Sequence, residues 1–264
     1  MPSNANCDAE NHPYFMSGKG ETMQRTAIVT GASKGIGAAL AKRLASDGFQ
    51  TIVNYASSDN EAQKVVAAIE LAGGRAKAIR ADVADASAVK ALFDRTEAEF
   101  GPVDVLVNNA GISKTSLLAN VTDEDYQRQI AVNLTGAFNG MREGARRVRD
   151  GGRIINFSTS VIGHYIPAVG VYAATKAAVE AMTHVLAKEL GARKVTVNAV
   201  APGPVSTELL LTGRSEEVIQ RLISDIPLGR LGQPDDIARV VSFLASPESG
   251  WVNGQVIKVN GGRN

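Results

Sequence analysis

The feature that most constrains the fold is a regular alternation of two kinds of segment along the chain. Short apolar runs such as residues 25–30 (RTAIVT), 50–54 (QTIVN) and 103–107 (VDVLV) alternate with longer stretches whose apolar residues recur at helical spacing. The short runs predict buried strands, and the longer stretches predict amphipathic helices. Short connections between them require right-handed crossovers between parallel strands. The alternation therefore predicts an α/β fold with a single doubly wound parallel sheet and helices on both faces.

The alternation extends along the rest of the chain. Further strands are expected at residues 76–80, 153–157, 194–200 and 255–259, which brings the sheet to about seven strands. Helices are expected at residues 38–45, 60–72, 86–100, 170–190 and 234–245, with one or two more within 123–149. Residues 206–225 depart from the pattern, and we expect them to form a mobile helical excursion over the functional site.

Length, charge and cysteine content limit the classes of protein that fit. The 264 residues are 44% hydrophobic, and no linker or repeat divides residues 23–264, so we expect one domain there. Residues 1–22 lack the apolar stretch of a secretory signal, so we expect a disordered lead-in. A net charge of +1 gives no electrostatic argument for nucleic acid or an anionic membrane as a partner. The single cysteine, Cys7, excludes an intrachain disulfide and favours a cytoplasmic location, while the three histidines lack metal-ligand spacing.

A glycine-rich segment directly follows the first predicted strand and opens the first helix. Residues 30–37 (TGASKGIG) carry three glycines spaced G-x-x-x-G-x-G. Glycine permits the tight turn and lets backbone N–H groups approach an anion, to which the helix N-terminus adds a positive partial charge. An ordinary glycine-rich turn is the alternative, but the strand–loop–helix context favours a pyrophosphate cradle. Its predicted members are Gly31, Ser33, Lys34, Gly35, Ile36 and Gly37.

The end of the second predicted strand bears on the choice of dinucleotide. Dehydrogenases that prefer NAD usually carry an acidic residue there, which accepts hydrogen bonds from the ribose. This chain has no carboxylate before Asp59, and its small polar groups together with Lys34 suit a 2′-phosphate, so we predict NADP. The alternative is that these are ordinary loop residues. The predicted contacts are Asn54, Tyr55, Ala56, Ser57 and Ser58.

Two further strand ends carry candidate cofactor contacts. Asp82 and Val83 follow the third predicted strand, where an aspartate can accept a hydrogen bond from the adenine amino group. The sequence Asn-Asn-Ala-Gly follows the fourth, and ligands bind at the carboxyl ends of strands in open α/β sheets. From this segment we expect Asn109, Ala110 and Gly111 to line the cofactor site.

Tyr172 and Lys176 are four residues apart in a predicted helix and therefore lie on one face of it. A free tyrosine titrates near pH ~10, and a nearby ammonium lowers its pKa by stabilising the phenolate. Such a pair can serve as a proton donor and acceptor at working pH. By itself the pair equally fits a half-buried tyrosine above a solvated lysine, so the other motifs decide between the two interpretations.

Together these motifs resemble the short-chain dehydrogenase/reductase family. The resemblance covers about residues 24–262 and rests on the glycine loop, Asn-Asn-Ala-Gly, Asn133, the Tyr172–Lys176 pair and Pro202-Gly203, in the expected order. Within the family the chain is most similar to the group that includes 3-oxoacyl-carrier-protein reductases and naphthol reductases. The resemblance implies a Rossmann-type fold, NADPH, a small-molecule carbonyl or alcohol substrate, and a homo-oligomer, expected to be a tetramer.

The resemblance also implies residue roles. Tyr172 would donate a proton to the carbonyl oxygen, and Lys176 would lower the tyrosine pKa and bind the nicotinamide ribose. Asn133 would hold a water that links Lys176 to solvent, and Thr207 would contact the nicotinamide carboxamide. Pro202, Gly203 and Val205 are expected to line the same end of the cofactor.

The last catalytic hydroxyl is where the sequence departs from the family pattern. The usual serine stands thirteen residues before the tyrosine, and Thr159 occupies that position here. Matching the serine before Val-x-Gly selects Ser160 instead. We favour Ser160, because serine lacks the methyl group that would crowd the carbonyl, and keep Thr159 and Ser158 as alternatives.

The leading hypothesis is an NADPH-dependent carbonyl reductase that acts on a ketone, aldehyde or 3-oxoacyl substrate and works reversibly as an alcohol dehydrogenase. An NAD-preferring sugar or polyol dehydrogenase is the runner-up. A non-catalytic nucleotide-binding protein of the same fold is the third hypothesis, and the presence of both Tyr172 and Lys176 argues against it.

Overall fold

Seven parallel strands form one sheet in the order β3-β2-β1-β4-β5-β6-β7. This is a computed structural model, and it describes residues 24–263. The strand order reverses between β1 and β4, which makes the sheet doubly wound, as the sequence predicts. The strands are Arg25–Val29 (β1), Phe49–Tyr55 (β2), Arg75–Arg80 (β3), Val103–Asn108 (β4), Arg153–Phe157 (β5), Thr196–Pro202 (β6) and Val256–Val259 (β7).

Helices cover both faces of the sheet. The helices are Gly35–Ser46 (α1), Asp59–Leu71 (α2), Ala86–Phe100 (α3), Asp123–Gln129 (α4), Gly136–Arg147 (α5), Gly170–Glu189 (α6), Glu208–Leu211 (α7), Glu216–Ser224 (α8) and Pro234–Ala245 (α9). One apolar core lies between the sheet and α1, α2 and α9, and a second core lies beneath α3, α5 and α6. Successive residues of β1 show the reason: Ala27 and Val29 belong to the first core and Ile28 to the second. A strand buried on both faces requires a continuous apolar run.

The structure confirms the predicted strands and most helices to within a few residues and differs most between residues 123 and 149. There, α4 continues into α5 through a π-helical turn at Ile130–Thr135. Hydrophobic spacing cannot reveal one extra residue in a helical turn, so the sequence indicates only one or two helices. Residues 206–225 contain the predicted helical excursion as α7 and α8, while its mobility stays a prediction.

Two predictions concern regions and properties outside the sheet. The disordered lead-in at residues 1–22 lies outside the described residues. Within residues 24–263 no helix is long and apolar enough to cross a bilayer, and no three metal-ligating side chains cluster together.

Candidate active site

The glycine loop between β1 and α1 has the conformation and the space that a dinucleotide pyrophosphate requires. Gly31 and Gly35 have positive φ angles of 62° and 52°, which side chains disfavour. A Cβ on Gly31 would lie 2.9 Å from Ala110 Cα, and a Cβ on Gly37 would lie 2.2 Å from the Gly31 carbonyl oxygen. At the N-cap of α1, Lys34 makes no side-chain capping bond, so the first N–H groups of α1 face the loop without a side-chain acceptor there.

Two side chains hold this loop against the end of β4. The Thr30 hydroxyl accepts hydrogen bonds from the backbone N–H groups of Asn109 (2.9 Å) and Ala110 (3.1 Å). The Asn109 amide donates to the carbonyl oxygens of Thr30 (2.8 Å) and Gly31 (3.1 Å). Asn109 therefore shapes the cradle through its neighbours. Thr30 is a residue of the site that is not among the predicted contacts. Its hydroxyl, directly before the first glycine of the loop, is the sequence feature that could have indicated this role.

At the end of β2 two predicted cofactor contacts have side chains that bond inside the protein. Asn54 is buried, and its amide donates to the carbonyl oxygens of Ile79 (3.2 Å) and Ala81 (3.0 Å) while accepting from the Gly31 N–H (3.3 Å). The buried Tyr55 hydroxyl donates to the Asp59 carboxylate, a bond that raises the tyrosine pKa. Both side chains bond to groups inside the protein, so a contact of Asn54 or Tyr55 with the cofactor through these polar atoms is not supported, and any other contact stays a prediction. They support the loop from behind.

The residues just beyond β2 remain accessible, as the prediction requires. Ala56 and Ser57 are exposed, and Ser58 begins α2 without a side-chain capping bond. Lys34 makes an ion pair that the sequence does not predict, since its Nζ lies 3.3 Å from a carboxylate oxygen of Glu208 at the start of α7, while its contact with the cofactor stays a prediction. This ion pair joins the glycine loop to the segment that follows β6.

The segment after β3 contains two predicted cofactor contacts, the polar Asp82 and the apolar Val83. The Asp82 carboxylate accepts from the Ala84 N–H at 3.0 Å and stays partly exposed, so it retains room for a ligand donor. Val83 is buried beneath α5, where its Cγ2 lies 2.6 Å from the position of a Cβ on Gly136. Val83 can therefore contact a ligand only through its edge or backbone.

Asn133 lies inside the π-helical turn and is fully buried. Its side chain pairs with the backbone of Ile112, donating to the carbonyl oxygen and accepting from the N–H, both at 2.8 Å. A Cβ on Gly111 would lie 3.4 Å from Asn133 Oδ1 and 3.3 Å from Lys176 Nζ. The segment after β4 thus meets the π-helical turn and α6 at one point.

Lys176 is buried on α6, and its Nζ donates to the Phe157 carbonyl oxygen at the end of β5, 2.8 Å away. Burial disfavours the charged form and lowers the pKa of Lys176 to about 8. The ammonium is therefore still the main form at pH 7, with the neutral amine accessible just above it.

Tyr172 lies one helical turn before Lys176, with its ring centroid 5.9 Å from Lys176 Nζ. Burial raises the pKa of Tyr172, and a hydrogen bond with the Thr159 hydroxyl acts in the opposite direction. Burial is the larger of these two effects on the Tyr172 pKa, and the lowering of that pKa by Lys176 stays a prediction. At neutral pH the phenol keeps its proton, which suits a proton donor.

The hydroxyls of Ser158 and Thr159, two of the three candidates after β5, have different partners. The Ser158 hydroxyl donates to the Glu180 carboxylate on α6 at 2.5 Å, so it is engaged away from Tyr172. Thr159 forms the hydrogen bond with Tyr172, and its oxygen also accepts from the Val161 N–H at 3.3 Å. Ser160 is buried, and its N–H donates to the Pro202 carbonyl oxygen. Thr159 thus lies beside the tyrosine, and the choice between Thr159 and Ser160 stays a prediction.

The segment after β6 closes the site on its remaining side. A Cβ on Gly203 would lie 2.7 Å from Asn260 Cα, so the backbone passes close to the end of β7. Val205 is buried, while Thr207 caps α7 by accepting from the Leu210 N–H at 3.4 Å. Thr207 Cγ2 lies 3.5 Å from the position of a Cβ on Gly35, so this segment touches the glycine loop.

Several known proteins are similar to this chain in sequence and in fold. The profile of the family described as enoyl-(acyl carrier protein) reductase matches residues 31–264. A short-chain type dehydrogenase/reductase of Picea abies is 46% identical over 90% of this chain and 92% of its own length. The chain belongs to the short-chain dehydrogenase/reductase family. This short-chain dehydrogenase/reductase is 47% identical to the NADPH-dependent aldehyde reductase 2, chloroplastic, of Arabidopsis thaliana, across 90% of this chain and 93% of that protein.

Two more comparisons bear on the activity. The 3-oxoacyl-[acyl-carrier-protein] reductase FabG of Staphylococcus aureus is 42% identical over 91% of this chain and 98% of its own length. The crystal structure of a short-chain dehydrogenase from Burkholderia cenocepacia in complex with NADP superimposes with a TM-score of 0.86 at 39% identity, covering 92% of this chain and 100% of that one. The short-chain dehydrogenase/reductase described above is therefore an NAD(P)-dependent oxidoreductase.

Proposed function

We propose that this enzyme uses NADPH to reduce the carbonyl group of an aldehyde, ketone or 3-oxoacyl substrate, and that it oxidises the alcohol in the reverse direction. The observation that carries the proposal is the contact of Thr159 with Tyr172, one helical turn from the buried Lys176. The glycine loop supports a bound dinucleotide, since its two positive φ angles and tight contacts leave no room for side chains. The absence of a carboxylate in residues 54–58 supports NADP over NAD.

The protein side chains divide the work as follows. Tyr172 holds the proton that passes to the substrate oxygen, because burial keeps its phenol protonated at neutral pH. Thr159 donates a hydrogen bond to the same oxygen as negative charge develops there. When bound, the nicotinamide supplies the hydride. Lys176 stabilises the phenolate left on Tyr172 and binds the nicotinamide ribose.

The remaining predicted roles complete the proposal. Asn133 positions a water through which Lys176 exchanges protons with solvent. Thr207, Pro202, Gly203 and Val205 receive the nicotinamide end, while Asp82 receives the adenine. The contact between Thr207 and the glycine loop supports this arrangement, because it brings the segment after β6 against the loop that would hold the pyrophosphate.

The same proposal extends to assembly and location. We propose a cytoplasmic homotetramer that does not require a nucleic acid or membrane partner. The exposed apolar side chains of Tyr126, Phe138 and Val185 on α4, α5 and α6 support a subunit boundary on these helices. Composition alone supports the cytoplasm, and two of the relatives carry chloroplastic names.

A carbonyl panel monitored by NADPH absorbance tests the proposal. We expect turnover of at least one aldehyde, ketone or 3-oxoacyl thioester, with kcat/KM for NADPH at least tenfold above that for NADH. Tight NADPH binding without turnover of any carbonyl would contradict the catalytic assignment. A strong preference for NADH with sugars or polyols would contradict the cofactor assignment instead.

A further inference from the structure

Arg80 is the last residue of β3 and lies in register with Tyr55, the last residue of β2. Its Nε donates to the Ala56 carbonyl oxygen at 3.0 Å. The guanidinium group is therefore held against the start of the loop that contains Ser57 and Ser58. Parallel strands end at the same edge of the sheet, so Arg80 faces the edge where the cofactor binds.

The terminal nitrogens of Arg80 keep N–H donors available for a ligand, because the bond to Ala56 uses only Nε. Among residues 24–263, the bond to Ala56 is the one hydrogen bond that its exposed side chain makes, and no carboxylate pairs with it. A guanidinium fixed by one N–H retains two terminal nitrogens that can bind a phosphate in a bidentate manner. The neighbouring Ser57 and Ser58 contribute hydroxyls that no side-chain cap of α2 uses.

Arg95 also lies close enough to lower the pKa of Tyr55, and the remaining charged groups near this loop have partners. Lys34 lies 3.3 Å from Glu208, Asp59 accepts from the Tyr55 hydroxyl, and Glu61 lies 2.8 Å from Lys64. The carboxylates nearest the loop are thus engaged elsewhere, and Lys34 reaches a phosphate only by leaving its partner. Arg80 has no carboxylate partner among the described residues, and its bond to the Ala56 carbonyl oxygen holds it against the loop itself, which distinguishes it from Arg95.

We propose that Arg80 is the principal residue that recognises the 2′-phosphate of the adenosine ribose, with Ser57 and Ser58 as secondary donors and Lys34 in a lesser role. This inference rests on the proposed use of NADPH and names the group that makes the enzyme selective for it. The sequence does not single out Arg80, because the recognisable patterns lie at the end of β2 and in the glycine loop, whereas this residue reaches the same loop from β3.

Binding of two adenine nucleotides to the full chain tests the role without turnover. The probes are 2′,5′-ADP, which carries the 2′-phosphate, and 5′-AMP, which lacks it, each titrated by calorimetry. We expect Arg80→Gln to weaken 2′,5′-ADP at least tenfold, about 1.4 kcal/mol, while 5′-AMP changes less than twofold. Arg80→Lys keeps the positive charge but loses the bidentate guanidinium, so its affinity for 2′,5′-ADP should fall between those of the wild type and Arg80→Gln. The matched control is Arg75→Gln, at the other end of the same strand, where Arg75 contacts Gln24 and Phe100.

The outcomes separate this inference from the proposed function. Unchanged 2′,5′-ADP binding in Arg80→Gln, with a large loss in Lys34→Gln, would overturn the role of Arg80 and leave NADPH use intact. An equal loss for both nucleotides would show that Arg80 only shapes the loop, and would also overturn the inference. Wild-type enzyme that binds 2′,5′-ADP no better than 5′-AMP would overturn both the inference and the predicted NADPH preference.

Discussion

At Tyr172, burial and a hydrogen bond from Thr159 act on the same hydroxyl in opposite directions. Burial prevails, so the phenol retains its proton at neutral pH. A phenolate formed during turnover needs a positive charge nearby, and Lys176 one turn away supplies it. The sequence predicts the pair correctly but not the balance of these effects, because burial depends on the packing of distant segments.

The choice between Thr159 and Ser160 is testable by removing one hydroxyl at a time. Thr159→Val keeps the shape of the side chain and should lower kcat on the order of 10²–10³-fold, because a donor to the developing oxyanion is lost. Ser160→Ala should cost less than tenfold. The reverse ranking in steady-state kinetics would restore the preference that the sequence favours.

Lys176 should make stability depend on pH in a defined direction. Its pKa is lowered from 10.5 to about 8 in the folded protein, so between these values the unfolded chain binds more protons and stability rises with pH. The cost of the buried ammonium is fully present below pH 8 and is relieved as the pH rises toward 10.5. It amounts to about 3 kcal/mol.

Lys176→Met removes this ionisable group and keeps an apolar stem of similar length. The free energy of unfolding of wild type minus that of the variant should increase by up to about 3 kcal/mol between pH 7 and pH 10. Urea unfolding at a fixed protein concentration measures it. Lys188→Met, on an exposed turn of α6, is the control for loss of a surface ammonium. A difference that does not change with pH would refute the lowered pKa.

Among the elements, α5 packs against the sheet through three glycines, a contact that its helical periodicity does not predict. Gly136, Gly140 and Gly144 recur every fourth residue and face the sheet, so the helix lies unusually close to β4. A Cβ on Gly140 would lie 2.0 Å from Asn108 Oδ1. The π-helical turn that carries Asn133 lies directly before this helix.

Gly140→Ala should therefore destabilise the protein although alanine favours helix. Overpacking against Asn108 should cost about 1–3 kcal/mol in the free energy of unfolding, and kcat should fall as Asn133 shifts. The control is Gly191→Ala, because nothing lies within 4 Å of a Cβ there. Equal stability of the two variants would mean that α5 moves away from the sheet without penalty.

The elements also show which sequence signals are sufficient. Strand β5 and helices α3 and α9 begin and end where the apolar periodicity predicts. Asn54 shows the opposite case. Its position near the end of β2 indicates a ligand contact, but its amide donates to carbonyl oxygens of β3 and of the residue that follows β3. A strand end identifies the edge of the sheet where ligands bind, but the direction of each side chain depends on its neighbours in three dimensions.

At the scale of the whole molecule, strand–helix alternation is enough to predict a doubly wound parallel sheet, because short crossovers of one hand allow few other topologies. The order of motifs then predicts which edge binds the dinucleotide. The contacts that unite the site join residues far apart in the chain, such as Lys34 with Glu208 and Ser158 with Glu180. Pairs of this kind leave no local pattern, so the sequence does not reveal them.

The proposed tetramer gives a prediction at the same scale. Sedimentation velocity at micromolar concentration should show an assembly of four chains. Phe138→Glu, which puts a charge on an exposed apolar position of α5, should produce smaller species with the fold retained by circular dichroism. Leu71→Glu, on a different exposed position at the end of α2, is the control and should leave the assembly unchanged. Wild-type chains that sediment only as monomers would refute the proposal.

The central claim, that Tyr172 gives the proton to a carbonyl reduced by NADPH, is tested most directly by Tyr172→Phe. Two quantities are measured for this variant and compared with the wild type: kcat with the best carbonyl substrate, and the Kd for NADPH. We expect kcat to fall on the order of 10²–10⁴-fold, because the general acid is lost. The Kd for NADPH should change less than threefold. A variant that turns over at a rate near that of the wild type on every carbonyl substrate would contradict the central claim.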